Sequence, residues 1–195
     1  KAAGYIRTGF ECYSLPDSPM TKAFEEGDAH YGAAGHQTGG RVNFIAVGSS
    51  SMSNLGNDYY SQNFYDVASY KKILDKGELP TFRGMKLSED DKIRQHATQQ
   101  VRSYFKVDFN NFKENFNVDA RKYFTKEIDY MSEMQNDGLL TISDQGIKMT
   151  ELGRDFTQNI ANVFDSYDPP YKSYNDRLKT IRKAKEEQGK VVEQI

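Results

Sequence analysis

Few residues in this chain are equipped for covalent or metal chemistry, and their spacing restricts them further. There is one cysteine, Cys12, and there are three histidines, His30, His36 and His96. A lone thiolate cannot hold an iron–sulfur cluster or a structural zinc, which need several ligands. The histidines are not at i, i+4 spacing, and no cysteine or carboxylate pair stands beside His30 and His36. The expectation is therefore no metal, no cluster and no catalytic residue within this chain.

Three residues qualify for holding a substrate. Arg83 and Arg94 carry the planar fork that takes a carboxylate bidentately, although Arg94 can also pair with Asp90 or Asp91 one helical turn away. His36 stands in a Gly-rich stretch and can face a ligand or simply solvent. The small-residue run Gly48-Ser49-Ser50-Ser51-Met52-Ser53 lets a ligand or another backbone approach closely, which makes Gly48, Ser50 and Met52 candidates for cofactor contact. The acidic pair Asp90-Asp91 reads as first-turn helix charge answering the macrodipole. Cys12 has no basic neighbour to activate it and reads as an inert thiol. The tyrosines of 58–62 read as sheet packing.

The rest of the composition sets the frame. The chain has 195 residues, 26 basic and 28 acidic, with a formal charge of −2. That balance argues against a nucleic-acid footprint, which needs clustered Lys and Arg. No apolar run has the length of a membrane span, and the N-terminus has no signal-peptide pattern. With no internal disulfide available, the setting expected is a reducing cytoplasm. A chain opening Lys1-Ala2-Ala3 reads as an excised fragment.

Two textures divide the sequence. Residues 1–86 are rich in Gly, Ser and Tyr and predict short strands, loops and small helices. A strand is expected over 4–13, stopped by Pro16. Ser18 caps a helix with Pro19 in its first turn, running to Glu26 and ended by Gly27. Glycines make 30–41 a loop. Phe44-Ile45-Ala46-Val47 predicts a strand buried on both faces, 58–62 another strand, and 65–75 a helix closed by Gly77.

From residue 87 the periodicity is helical. Ser88 caps a helix with Ile93, Ala97, Val101, Tyr104 and Phe105 inward. A short helix follows over 108–116. Asp119 opens a longer one with Tyr123, Phe124, Ile128, Met131 and Met134 on one face, ended by Gly138. A hairpin is predicted from 139–142 and 147–149. Thr150 caps a last core helix with Leu152, Phe156, Ile160, Val163 and Phe164 inward, broken at Asp168-Pro169-Pro170. A polar helix is expected over roughly 174–188. The pattern over ~87–168 is that of a winged-helix-like unit.

Taken in order, several motifs carry a family resemblance. They are Arg83-Gly84-Met85-Lys86-Leu87-Ser88-Glu89-Asp90-Asp91-Lys92-Ile93-Arg94, then Asp137-Gly138-Leu139 through Gly146-Ile147, then Thr150 to Gly153-Arg154, and the Gly48–Ser53 run followed by Gln62-Asn63. Over residues 4 to 168 the chain resembles the C-terminal portion of the oxygen-independent coproporphyrinogen III oxidases, which are radical S-adenosylmethionine (SAM) enzymes, or a close paralogue. The resemblance implies an α+β fold: residues 1–86 as the end of a partial TIM-like barrel sheet, and 87–195 as a helical, winged-helix-like C-terminal domain. It also implies a parent carrying a four-iron four-sulfur cluster and SAM on an N-terminal radical SAM barrel, with oxidative decarboxylation of porphyrinogen propionates to vinyls in haem biosynthesis. This chain would help to close and shape the substrate site, and would be inactive alone.

The resemblance places Met52 and Ala34 beside a second SAM. Ala34 stands where the family has a glutamine and cannot supply an amide's hydrogen bonds; His36 stands where the family has a tyrosine. Those departures point to a paralogue acting on another substrate, such as another tetrapyrrole. The competing class is a winged-helix-like module binding protein or nucleic acid, against which stands the candidate helix 151–165, with Arg154 as its only cation. The partners expected are the parent's own barrel and a tetrapyrrole-like small molecule, with no membrane. With the barrel removed, an uncovered strand edge would favour a homodimer.

Overall fold

The computed structural model describes residues 3–32, 35–39, 43–56 and 58–170. They form two compact units, 3–39 together with 93–170, and 43–92. Both mix helices with antiparallel strands, and among the described residues no sheet closes into a barrel.

The chain begins with a minimal hairpin, β1 (Ile6–Arg7) and β2 (Tyr13–Ser14), in which Ile6 opposes Ser14. A continuous strand over 4–13 does not form, because Gly9 and Glu11 take positive φ values of 139° and 56° and turn the backbone. Helix α1 (Pro19–Glu26) matches its expectation: the Ser18 hydroxyl accepts from the Thr21 N–H at 3.2 Å, and Gly27 closes it at φ 81°. The stretch expected as a loop over 30–41 instead pairs as β3 (His30–Gly32) with β4 (Gly35–Gln37). Its cross-strand Tyr31–His36 contact, with ring centroids 5.0 Å apart, supplies packing that the glycines cannot. The described structure does not extend to Ala34.

The 43–92 unit is a three-stranded sheet, β5 (Met52–Leu55), β6 (Tyr59–Asn63) and β7 (Thr81–Lys86), with β6 central. Helix α2 (Val67–Leu74) is capped by Asp66, whose carboxylate accepts from the Ser69 N–H at 2.7 Å. The aromatic rings of Phe64, Tyr65 and Phe82 pack together. The doubly covered strand expected at Phe44-Ile45-Ala46-Val47 is not there. Only Phe44 bridges, to Asn54, while Ile45 and Val47 are 75% and 86% exposed. The Ala46 N–H turns to the Ser53 hydroxyl instead of to a ladder carbonyl, so hydrophobicity alone did not make a strand.

Helix α3 (Glu89–Tyr104) opens on a reciprocal cap. The Asp91 N–H donates to the Ser88 hydroxyl, and the Ser88 N–H and O–H both donate to Asp91 Oδ2. Within the larger unit, Ile93, Ala97 and Val101 on its face and Phe105 just beyond its end are buried as expected, whereas Tyr104 is half-buried. After it come β8 (Lys106–Asp108) and α4 (Phe109–Phe116). The helix expected from Asp119 is two helices, α5 (Ala120–Tyr123) and α6 (Thr125–Asn136), interrupted at Phe124. The Phe124 ring is held edge-on between Phe112 and Phe164, and its backbone leaves helical geometry at φ −100° and ψ 32°.

The predicted hairpin is present as β9 (Leu140–Ile142) and β10 (Gly146–Met149), and β8 joins it to give the antiparallel order β8-β10-β9. Thr150 caps the next segment by accepting from the Gly153 N–H at 3.0 Å. That segment starts as a 3-10 turn, Gly153–Phe156, before α7 (Thr157–Asn162). Leu152 and Phe156, expected inward, are 55% and 41% exposed, whereas Ile160, Val163 and Phe164 are buried. The polar helix expected over 174–188 lies outside the described residues.

In this unit the N-terminal segment, residues 6–29, is tied to the helical part by several bonds. The Phe10 N–H donates to the Arg102 carbonyl, the Tyr104 hydroxyl to the Ala29 carbonyl, and Arg7 to both Asp155 and the Arg154 carbonyl. Among the described residues no helix is long and apolar enough to cross a membrane.

Candidate functional site

Strand register builds a groove on one face of the β5-β6-β7 sheet. Met52 opposes Gln62, and Gln62 opposes Arg83. Two residues along, Asn54 opposes Tyr60, and Tyr60 opposes Met85. Because side chains alternate faces with period two, these two rows share one face. A cavity of about 270 Å³ lies there, lined by Met52, Tyr60, Gln62, Arg83 and Met85 with the backbone of Ser61 and Gly84. An aromatic ring, two thioethers, an amide and a guanidinium can seat an apolar body bearing an anionic group.

Of the residues expected from sequence, Met52 and Arg83 are brought together here. Arg83 Nε donates to Gln62 Oε1 at 2.9 Å. Ser50, in the turn leading into β5, joins them through its carbonyl, which accepts from Gln62 Nε2 at 3.2 Å. Tyr60, Gln62 and Met85 were not singled out as site residues. A strand was expected over 58–62 but none over 81–86, so neither β7 nor the register that sets Gln62 beside Arg83 and Tyr60 beside Met85 was legible.

The Gly48–Ser53 run is held by its own chain. The Gly48 N–H donates to the Tyr70 hydroxyl and its carbonyl accepts from Asn63 Nδ2, both at 3.0 Å. The Ser50 N–H donates to the Phe64 carbonyl at 2.8 Å. The Gly48 and Ser50 amide protons are thus engaged within the chain, and the Met52 side chain is 41% exposed.

His36 and Arg94 belong to the other unit, and each has an internal role. His36 Nε2 donates to the Phe10 carbonyl at 2.7 Å, and Gly9 packs so close to the ring that no side chain would fit there. Its Nδ1 is buried without a partner. Burial lowers the pKa of His36 below the ordinary 6.5, opposed by the Phe10 hydrogen bond. Arg94 Nη1 donates to Glu127 Oε1 at 2.8 Å, with its guanidinium against the rings of Tyr123 and Phe124. Arg154 pairs with Glu151 at 3.0 Å and stacks on Phe105.

The cluster implied for the parent does not fit these residues. Cys12 is the single cysteine, and its sulfur accepts from the Thr8 hydroxyl at 3.4 Å. Among the described residues no three His, Cys, Asp or Glu side chains are grouped as metal ligands.

Residues 87–156 match the family model described as the HemN C-terminal domain. The oxygen-independent coproporphyrinogen III oxidase of Pseudomonas aeruginosa is 33% identical over 168 residues, which is 86% of this chain and 36% of that protein. The Helicobacter pylori (strain 26695) enzyme of the same name is 32% identical over 165 residues, 85% of this chain and 36% of that protein. The solved structure of coproporphyrinogen III oxidase (HemN) from Escherichia coli, described as a radical SAM enzyme, superposes with a TM-score of 0.81 at 28% identity, covering 85% of this chain and 38% of that one. The chain thus spans about 36% of the length of the curated relatives it matches. Motifs, relatives and fold agree, and the chain is homologous to the C-terminal portion of the oxygen-independent coproporphyrinogen III oxidases, radical SAM enzymes, or of a close paralogue.

Proposed function

We propose that this chain serves as the C-terminal part of a radical SAM enzyme acting on a propionate-bearing porphyrinogen, with the β5-β6-β7 groove forming one wall of the substrate site. The observation that carries the reading is Arg83 beside the Met52, Tyr60 and Met85 side chains. A guanidinium takes a carboxylate bidentately, and the apolar row suits the body of a tetrapyrrole. The cluster and SAM would be held by an N-terminal radical SAM barrel, the partner of this segment. Within the same proposal, residues up to 86 complete that barrel's sheet, the β8-β10-β9 sheet with its helices is winged-helix-like, and the setting is the cytoplasm.

Substitution of Arg83 in the whole enzyme tests the reading. Arg83→Ala is expected to raise the KM for coproporphyrinogen III about tenfold with a smaller change in kcat, as loss of one charge-assisted contact should. Unchanged kinetics would remove the groove from the substrate site. If Arg83→Ala affects a different tetrapyrrole and not this one, the paralogue reading takes its place.

A further inference from the structure

A guanidinium on an open sheet face recognises little if its side chain is free to wander. Arg83 is not free. Its Nε is fixed to Gln62 Oε1 at 2.9 Å, and the other end of the same amide is fixed to the Ser50 carbonyl at 3.2 Å. Ser50 is itself anchored: it sits at φ 66°, and its N–H bonds to the Phe64 carbonyl. A continuous chain of hydrogen bonds therefore runs from backbone through Gln62 to the arginine.

Two features of this chain go beyond support. First, the bond uses Nε and leaves both Nη groups, and among the described residues Arg83 makes no ion pair and no other hydrogen bond. The remaining donors form the planar fork that matches a carboxylate. Second, the orienting group is a neutral amide. A carboxylate at position 62 would hold the guanidinium equally well but would also cancel its charge. Gln62 directs the arginine and leaves its charge available.

We propose that Gln62 is a positioning residue: it aims the free Nη fork of Arg83 across the Met52–Tyr60–Met85 groove so that the fork receives a ligand carboxylate. This rests on the reading of the groove as a substrate wall. Selectivity for an acid over its ester then depends on Gln62 as well as on Arg83.

The chain, labelled with 15N-arginine, can be titrated with coproporphyrin III, a stable tetracarboxylate, and with its tetramethyl ester. The wild-type chain is expected to bind the acid in preference to the ester and to show a slowly exchanging Arg83 Nε–H resonance. Gln62→Ala should lose that protection and weaken acid binding about three- to tenfold, leaving the ester unaffected. Gln62→Glu should keep the protection yet bind the acid more weakly than Gln62→Ala, because the new carboxylate competes for the fork. If Gln62→Ala leaves protection and acid affinity unchanged, or weakens acid and ester alike, the positioning role is overturned and the substrate wall stands. If the wild-type chain binds neither probe, the substrate-wall reading fails and the aim assigned to the fork fails with it.

Discussion

The Arg94 guanidinium lies 2.8 Å from the Glu127 carboxylate, and that carboxylate side chain is only 4% exposed. The pair links α3 to α6, and Arg94 reaches the Phe164 carbonyl as well. An arginine whose sequence context suggested substrate binding thus contributes to the interior of its own unit. Removing one partner strands the other charge away from water. Glu127→Ala is expected to cost about 3 kcal/mol, whereas the double change Arg94→Met with Glu127→Leu should recover most of that loss. Urea unfolding of the three chains measures both. A double variant no more stable than Glu127→Ala would show that the pair is needed for more than charge balance.

The start of α3 offers a smaller, cleaner test. Ser88 and Asp91 satisfy each other's backbone N–H groups, so Ser88→Ala should cost about 1 kcal/mol and Ser88→Gly only a few tenths. Equal losses for both would mean that the hydroxyl does not act as a cap. The same geometry explains Asp91 without acid–base chemistry, since its carboxylate is committed to the cap.

These cases show which parts of the structure were legible in the sequence. The caps at Ser18, Ser88, Asp119 and Thr150 were readable because each bond spans a few residues and depends on local side-chain chemistry. The hairpin β9–β10 was readable for the same reason. The groove was only half readable. Arg83 and Met52 could be chosen by residue type, but Gln62 acquires its role by meeting Arg83 across 21 positions of sequence, and strand register is a property of the assembled sheet. The apolar run Phe44-Ile45-Ala46-Val47 misled because burial on two faces requires covering layers, and sequence states only that the side chains are apolar. The 3-10 start of the Thr150-capped segment hid in the same way: a helical stripe looks alike at 3.0 and 3.6 residues per turn over so short a stretch.

His36 gives the pH prediction. Burial holds its pKa below the ordinary 6.5, with the Phe10 carbonyl opposing the shift. The unfolded chain therefore binds more protons than the folded one between the depressed value and 6.5. Stability from this group is present above pH 6.5 and is lost as pH falls through the folded pKa. A ring titration by NMR should show a midpoint below 6.5, and His36→Gln should flatten the slope of stability against pH in that window. A midpoint at or above 6.5 would mean that the hydrogen bond outweighs burial.

Gly153 supplies the sharpest structural prediction. An added Cβ would fall inside the van der Waals shell of the Leu139 carbonyl. That carbonyl cannot easily retreat, because it accepts from both the Thr150 N–H at 3.0 Å and the Thr150 hydroxyl at 3.1 Å. The same hydroxyl accepts from the Gly153 N–H at 3.0 Å. Moving Gly153 to make room therefore sacrifices the cap, and moving Leu139 sacrifices the bonds that join the end of α6 to the Thr150 turn. Gly153→Ala is expected to destabilise the chain by about 3 kcal/mol, the upper part of the usual range for forced overpacking. Gly27 makes the matched control, since its φ of 81° penalises a side chain but nothing lies within 4 Å of its Cβ position. Gly27→Ala should cost about 1 kcal/mol, from backbone strain alone. Urea unfolding of the two variants separates contact from conformation, and equal losses would sink the argument that Leu139 is the obstacle.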